Sequence, residues 1–391
     1  MSTVASSNSD LTLNADGSGK AIKFQSNAAE VASVSSGGTL VGGSATGFRN
    51  LIYNGAMQVA QRGTSTTGVT STTMPACDRW NSVADTSGTW TILQDTTAPD
   101  GLGYSQKYLC TTANTSLSAG SQLRHQQKFE GQDLQQLVYG SSSAKSITIS
   151  FYVYSNKTGT YVVDLQNTDN SRIACGTYTI SVADTWEKKT ITIAGDTANG
   201  FTNDVNHSLY LSWWLVAGTN FTTGTQATVW EAQDNTNRAV SQTVNLADAT
   251  TNYWHISGVQ LEIGDAATPF EHRPYAAELA LCQRYYQVIG DNGAYSGAFG
   301  SGYCNSTTAA RLLIPVKGEM RAAPSLSVSS VSDFAVLDSG GNRATTDVVA
   351  LGMSKWSVSV TATTSGLTAG QGVLLSDNAT AAAEVRLDSE L

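Results

Sequence analysis

The side chains with the clearest chemical use in this sequence are aromatic: eight Trp and fifteen Tyr against nine Phe. Trp and Tyr each offer a flat apolar face with one hydrogen-bonding edge. That combination suits packing on the C–H faces of a sugar while Asn, Gln, Ser and Thr bond its hydroxyls. Within "SLYLSWWLV", alternation turns Leu209, Leu211, Trp213 and Leu215 to one face, which leaves Trp214 as the exposed partner. In "SITISFYVYS", Tyr152 and Tyr154 stand on the face opposite Phe151 and Val153. Trp214, Tyr152 and Tyr154 are therefore the candidate ligand platforms, with burial at a contact between subunits as the competing reading.

Other chemistries find little support. The sequence has no H-E-x-x-H, no G-x-S-x-G and no phosphate loop. Its four histidines, His125, His207, His255 and His272, are not spaced to share a helical face, so they read as structural. Asp164, Glu231 and Glu262 lie in or near strands and could converge as a glycosidase pair, although solvation or backbone bonding is the simpler reading. The sequence predicts no catalytic residue, no metal ligand set and no cofactor. A structural calcium is one use for the oxygens of "DTTAPDG", Asp95 to Gly101, but the twelve-residue calcium loop is absent. Cys77, Cys110, Cys175, Cys282 and Cys304 are scattered singly and read as buried free thiols.

These residues must be carried by strands. Period-2 segments recur in "SITISFYVYS", "TYVVDLQN", "GTYTISV", "KKTITIAG" and "SLYLSWWLV", separated by Gly, Asn, Asp and Thr. They imply an antiparallel sandwich. The last of the series, "WHISGVQLEI", changes phase: Trp254 and Ile256 alternate on one face, Val259, Leu261 and Ile263 on the other, which predicts a bulge near Gly258. A helix is expected just after Pro274, with Tyr275, Leu279, Cys282, Tyr286 and Ile289 forming a two-heptad seam. So short a seam must pack on something, either its own domains or two further copies on a threefold axis. Strands resume with "RLLIPV", "SLSVSSV", "FAVLD", "KWSVSVTA" and "GVLLSD".

The expected fold is mainly β: an extended N-terminal trimerising arm (1–47), a jelly-roll β-sandwich (48–272), a short linking helix (273–290) and a C-terminal β-sandwich-like tip (291–391). The arm is Ser/Gly/Ala-rich and holds too little apolar surface to fold alone. Charged residues make up only 14% of the 391 residues and the net charge is −9. A nucleic-acid partner, which needs clustered Lys and Arg, is not expected. Neither is membrane insertion, since no apolar run approaches the roughly 20 residues that span a bilayer. A soluble chain without a cleaved signal is expected.

Three blocks, in order, carry a family resemblance. "FRNLIYNGAMQVAQRGTS" with "ACDRW", then "HISGVQLEIGDAATPFEHRPYAAELALCQRYYQ", then "ARLLIPVKGEMRAAPSLSVS" resemble tailed-bacteriophage tail-fibre and related virion proteins from Phe48 to Val328. The arm "LTLNADGSGKAIKFQSNAAEVASVSSGGTL" is more loosely similar to repeats near the start of marine phage fibres. "KSITISFYVYSNKTGTYVVDLQN" with "TWEKKTITIAGD" resembles the paired strands of carbohydrate-binding jelly rolls. The resemblance implies a homotrimeric fibre exposed on the virion tail, attached through its arm to tail or adaptor proteins and recognising a host-surface glycan, with no catalytic motif. Asp78, Arg79 and Trp80 of "ACDRW" read as an ion pair stacked on an aromatic. A glycan depolymerase and an architectural head fibre or tail adaptor remain as alternatives.

Overall fold

The computed structural model describes residues 22–26, 29–34, 40–42, 49–290, 297–380 and 382–391. Most of the expected arm lies outside them. Inside it, β1 (Ile22–Ser26), β2 (Ala29–Val34) and β3 (Leu40–Gly42) form one antiparallel sheet in the order β1-β2-β3. The chain divides into two units at Arg49, and Asn50–Leu391 is the larger.

The larger unit opens with a sandwich of two six-stranded antiparallel sheets. The first holds β5 (Asn81–Asp85), β8 (Gln122–Glu130), β10 (Gly159–Asn167), β11 (Arg172–Ile180), β13 (His207–Ala217) and β14 (Glu231–Ala232), ordered β14-β11-β10-β13-β8-β5. The second holds β4 (Ser65–Val69), β6 (Thr89–Asp95), β7 (Ser105–Thr112), β9 (Ile147–Ser155), β12 (Glu187–Ile193) and β15 (Tyr253–Ile263), ordered β12-β9-β15-β7-β6-β4. Alternation decides which side chains lie between them. Ile147, Ile149, Phe151 and Val153 of β9 face Leu209, Leu211, Trp213 and Leu215 of β13 across one core, all fully buried. Trp80, Trp90, Trp213 and Trp254 join this core, each burying roughly 150–250 Å². The Trp-rich composition is thus mainly a packing feature.

The expected bulge is present. The β15–β9 register slips between Ser257 and Gln260, and Gly258 takes φ +60°. Its consequence is that Trp254 and Ile256 before it, and Val259 and Leu261 after it, all reach the same core.

Helix α1 (Tyr275–Gln283) starts after Pro274 as expected but ends early. Tyr286–Ile289 is a strand, β16, paired with β25 (Val385–Asp388). The run "YYQVI" is aromatic and β-branched, and β25 satisfies its backbone, so strand propensity and pairing overrule the heptad spacing. The five expected seam residues therefore share no stripe: Tyr275 is exposed, Leu279 half-buried, Cys282 buried, and Tyr286 and Ile289 lie in a strand.

The tip has its own core between two sheets. One is three-stranded, β16-β25-β19 with β19 at Ser325–Val328; the other is seven-stranded, β21-β20-β24-β17-β18-β23-β22. Its strands are β17 (Ala298–Cys304), β18 (Ala309–Pro315), β20 (Phe334–Asp338), β21 (Gly341–Ala344), β22 (Asp347–Met353), β23 (Ser357–Thr363) and β24 (Gly372–Asp377).

The three blocks quoted above meet at one junction between sandwich and tip, the third through the Lys317 amide, which donates to Gln287 Oε1 at 2.9 Å. The Asn54 amide donates to Glu278 of α1 at 2.5 Å, Trp80 Nε1 donates to the Asn54 carbonyl, and Gln61 Nε2 donates to Asp78 and to the Tyr286 carbonyl. Arg79 lies 3.4 Å from the Tyr285 ring centre and pairs with Glu390. Asp78 and Arg79 thus do not form the ion pair expected of them. Asp78 accepts from Gln61, and the aromatic under Arg79 is Tyr285, while Trp80 stacks on His125 at 4.2 Å.

Candidate functional site

Tyr152 and Tyr154 stand half-buried on the outer face of the second sheet. Across β15, Ser257 is opposite Tyr152 and His255 opposite Tyr154; across β12, Lys188 is opposite Tyr152. Tyr154 stacks on Tyr253 with ring centres 5.8 Å apart and planes 18° from parallel, and packs on Trp186 at 5.4 Å and 37°. Trp186, also half-buried, precedes β12 in the turn "ADTWEKK". Together these rings make an aromatic strip on the sheet surface.

Polar groups hold the strip in place. The Tyr253 hydroxyl donates to Asp184, and Lys107 Nζ lies 5.4 Å from the Tyr253 ring centre. Burial, and then the Asp184 hydrogen bond, raise the Tyr253 hydroxyl well above its ordinary value, which keeps it a donor. His255 sets its ring edge on Tyr154 at 5.3 Å, with Nδ1 3.0 Å from Ser105 Oγ. Burial and the Lys107 charge lower His255 to about 4, so the imidazole is neutral at pH 7.

Beside the strip, Tyr152 forms part of a recess of about 490 Å³ with Asp100, Leu102, Lys188, Pro269, Phe270 and His272. A smaller recess of about 140 Å³ shares Leu102, Phe270 and His272 with it. Both walls are tied to the sheet. Glu262 accepts from the Thr268 amide (2.8 Å) and hydroxyl (2.7 Å), and the Glu271 amide donates to Gln260 at 2.8 Å. On the other side Ser257 Oγ donates to the Tyr104 carbonyl and Ser105 Oγ to the Thr97 carbonyl, both at 2.6 Å. Gly258 is required between them: a Cβ there would lie 2.9 Å from both Tyr152 Cδ2 and Leu102 Cδ1. The result is a pre-formed concavity with aromatic rings, amine and carboxylate on its lining, suited to a polar ligand with flat apolar faces.

Trp214 does not join this site. It occupies the outer face of the first sheet, as alternation requires, yet it is fully buried. The segment 218–244 covers it: Phe221 packs on its ring at 4.9 Å, and Arg238 lies 5.0 Å from its centre. Strand phase shows which face a side chain takes, not which distant segment covers that face.

The three carboxylates weighed for catalysis are each occupied. Asp164 accepts from Arg238 Nε at 2.8 Å, Glu231 from Asn237 Nδ2 at 2.7 Å, and Glu262 holds the Thr268 wall. Asp95 of "DTTAPDG" accepts from the Thr97 amide at 2.7 Å and pairs with Lys107 at 3.5 Å. All five cysteines are free and buried. Trp186, Tyr253, Lys188 and Phe270 escaped the sequence reading; of these Trp186 had a visible signal, a Trp in a polar turn.

No protein-family model matches the chain, and none of the curated proteins matches it in sequence. Among solved structures it is similar to the enzymatically active domain of tailspike protein 4 of bacteriophage CBA120, with TM-score 0.30 and 10% identity over 57% of this chain and 22% of that one. The chain thus spans about a fifth of that tailspike chain's length. Similarity extends to TmCBM61 in complex with β-1,4-galactotriose (TM-score 0.28, 8% identity, 55% of this chain and 99% of that one). It also extends to the CBM22-1 xylan-binding domain of Paenibacillus barcinonensis Xyn10C (TM-score 0.26, 9% identity, 57% and 100%). Likeness of this degree carries no argument about ligand, and the site rests on the geometry above.

Proposed function

We propose that this chain is a subunit of a homotrimeric phage tail fibre whose β-sandwich binds a host-surface glycan on the Tyr152–Tyr154–Trp186–Tyr253 face. The observation that carries the glycan reading is the half-buried aromatic strip beside a recess of about 490 Å³ whose walls are hydrogen-bonded to the sheet. A sugar ring stacked on Tyr152 would bring its hydroxyls to Lys188, Asp100 and His272, which line the same recess. Binding without turnover is proposed, because the candidate carboxylates are committed to structural hydrogen bonds.

The fibre reading rests on the three sequence blocks, and the contacts of the first and the third with the second at one junction support treating them as a single unit. In this role the arm anchors the chain to tail or adaptor proteins and the tip faces the host. Tyr303, Leu313, Leu374 and Trp356 are exposed on the tip and suit a contact surface. Three copies multiply a weak sugar affinity through effective concentration. Sedimentation of the full chain at micromolar concentration tests the assembly: a trimer is expected, and a folded monomer contradicts it. Binding of the full chain to polysaccharide extracted from host cells, with Tyr152→Ala and Trp186→Ala for comparison, tests the glycan site.

A further inference from the structure

The opposite face of the sandwich carries charge for which the aromatic face has no use. Arg124 on β8 stands across from Trp214 on β13 and Val83 on β5, and it is 7% exposed. Among the described residues its guanidinium takes part in no ion pair or hydrogen bond, and its Nε is buried without a partner. A buried guanidinium is normally paired, since desolvated charge without compensation is strongly unfavourable.

Its neighbours compensate it only in part: Asp164 attracts its charge and the Trp214 ring lies beside it, yet neither hydrogen-bonds it. The carboxylate on this face, Asp164, is bound to Arg238 at 2.8 Å. Arg238 brings a second positive charge, and the two guanidinium carbons each lie 5.0 Å from the Trp214 ring centre, Arg124 from the sheet and Arg238 from the covering segment. Burial first, and then Arg238, lower Arg124 to about 9. In a chain of net charge −9, two arginines here face one carboxylate.

Polar side chains share this face: Asn81 is opposite Gln126 on β8, and Gln166 is opposite Tyr210 on β13. Asn81 (6% exposed) and Gln166 (5%) point outward from this sheet, and their side-chain amides hold no hydrogen bond among the described residues. The half-buried Tyr210 hydroxyl is close enough to feel the Arg124 charge. Gln126 donates to Ser212 Oγ at 3.0 Å between them.

We propose that Arg124 anchors the carboxylate or sulfate ester of an acidic sugar on this face, with Tyr210, Asn81 and Gln166 placed for its hydroxyls. The site is separate from the aromatic face, and the two are distinguishable by mutation.

Calorimetric titration of the full chain with galacturonate trimer, 6-O-sulfated galactose trimer, neutral galactose trimer and inorganic sulfate tests the assignment. At least one acidic trimer should bind tenfold or more tightly than the neutral one, and the better of the two identifies the group. Arg124→Gln should abolish that preference, and Arg124→Lys, which keeps charge but not the forked donors, should weaken it. Tyr152→Ala should leave the preference for the acidic over the neutral trimer in place, whatever it does to binding on the aromatic face, so failure of that reading would not imitate failure here. Without ligand, Arg124→Gln should match or exceed the wild-type melting temperature, because it removes a buried charge that no hydrogen bond or ion pair satisfies; a structural arginine would lower it. Equal binding of acidic and neutral trimers, sulfate binding as tight as either acidic trimer, or an Arg124→Gln chain that still prefers the acidic sugar would each overturn the proposal.

Discussion

Glu390→Gln is the substitution with the most readily worked consequence. Arg79 is buried to 1% of its side-chain surface and pairs with Glu390, itself 9% exposed. Its remaining partners are the Lys128 carbonyl at 2.8 Å and the rings of Tyr285 at 3.4 Å and Tyr53 at 5.6 Å, and its Nε is unpartnered. The amide keeps the shape of Glu390 and removes the charge; Arg62, which also pairs with Glu390 at 3.3 Å, retains Asp388 at 2.9 Å, whereas the Arg79 guanidinium is left without a carboxylate between sandwich and tip. Breaking one side of a buried pair costs about 3–5 kcal/mol, and the retained carbonyl and aromatic contacts place this one near 3. Unfolding entropy of roughly 2.1 cal/mol/K per residue, over a unit of roughly 340 residues, converts about 3 kcal/mol into a loss of ~4 °C in melting temperature. Differential scanning calorimetry at pH 7 reads it directly. Arg79→Met combined with Glu390→Gln should recover much of the loss, because the stranded charge is gone. A Glu390→Gln chain that melts within 1 °C of wild type would refute the claim that this pair locks the junction.

Other expectations follow from burial. His125 is lowered to about 3 by burial and His255 to about 4 by burial and Lys107, against about 6.5 when unfolded. Both folded values are depressed, so their contribution is complete above pH 6.5 and is lost as pH falls toward them. At pH 5 each costs about 2 kcal/mol, and urea unfolding should show a shallower acid loss for His125→Gln than for wild type. Gly258→Val forces a β-branched side chain to φ +60° with its Cβ 2.9 Å from the Tyr152 ring, so chemical denaturation should show a loss above ~2 kcal/mol together with lost glycan binding. The five buried thiols should resist a thiol-specific reagent in the native chain and all react in denaturant, since burial pushes Cys77 and Cys282 well up. A fast-reacting thiol would contradict the packing.

The sandwich was legible because its strands alternate strictly. Phe151 and Val153 went inward while Tyr152 and Tyr154 went outward, and the phase change at Gly258 marked a bulge with positive φ. Pro274 marked the start of α1 for equally local reasons. What escaped the reading depends on distant pairing. Tyr286–Ile289 satisfied a heptad spacing but became a strand because β25, a hundred residues later, offers an edge. Trp214 had the right phase for exposure, and the cover supplied by Phe221 and Arg238 left no periodic trace. The recess is built from 97–104 and 264–272, loops whose juxtaposition across the sheet follows from the β7–β15 pairing rather than from their own composition. Glu390 at Arg79 is a contact across 311 positions, beyond any local signal.

Glycan binding on the aromatic face is read out by the affinity of the full chain for polysaccharide extracted from host cells, wild type against Tyr152→Ala and Trp186→Ala. Saturable binding that weakens about tenfold in each variant, the loss of one stacking contact of about 1.4 kcal/mol, is the predicted result. Unchanged affinity in both variants with melting temperatures intact, or no binding by the wild type, would contradict it.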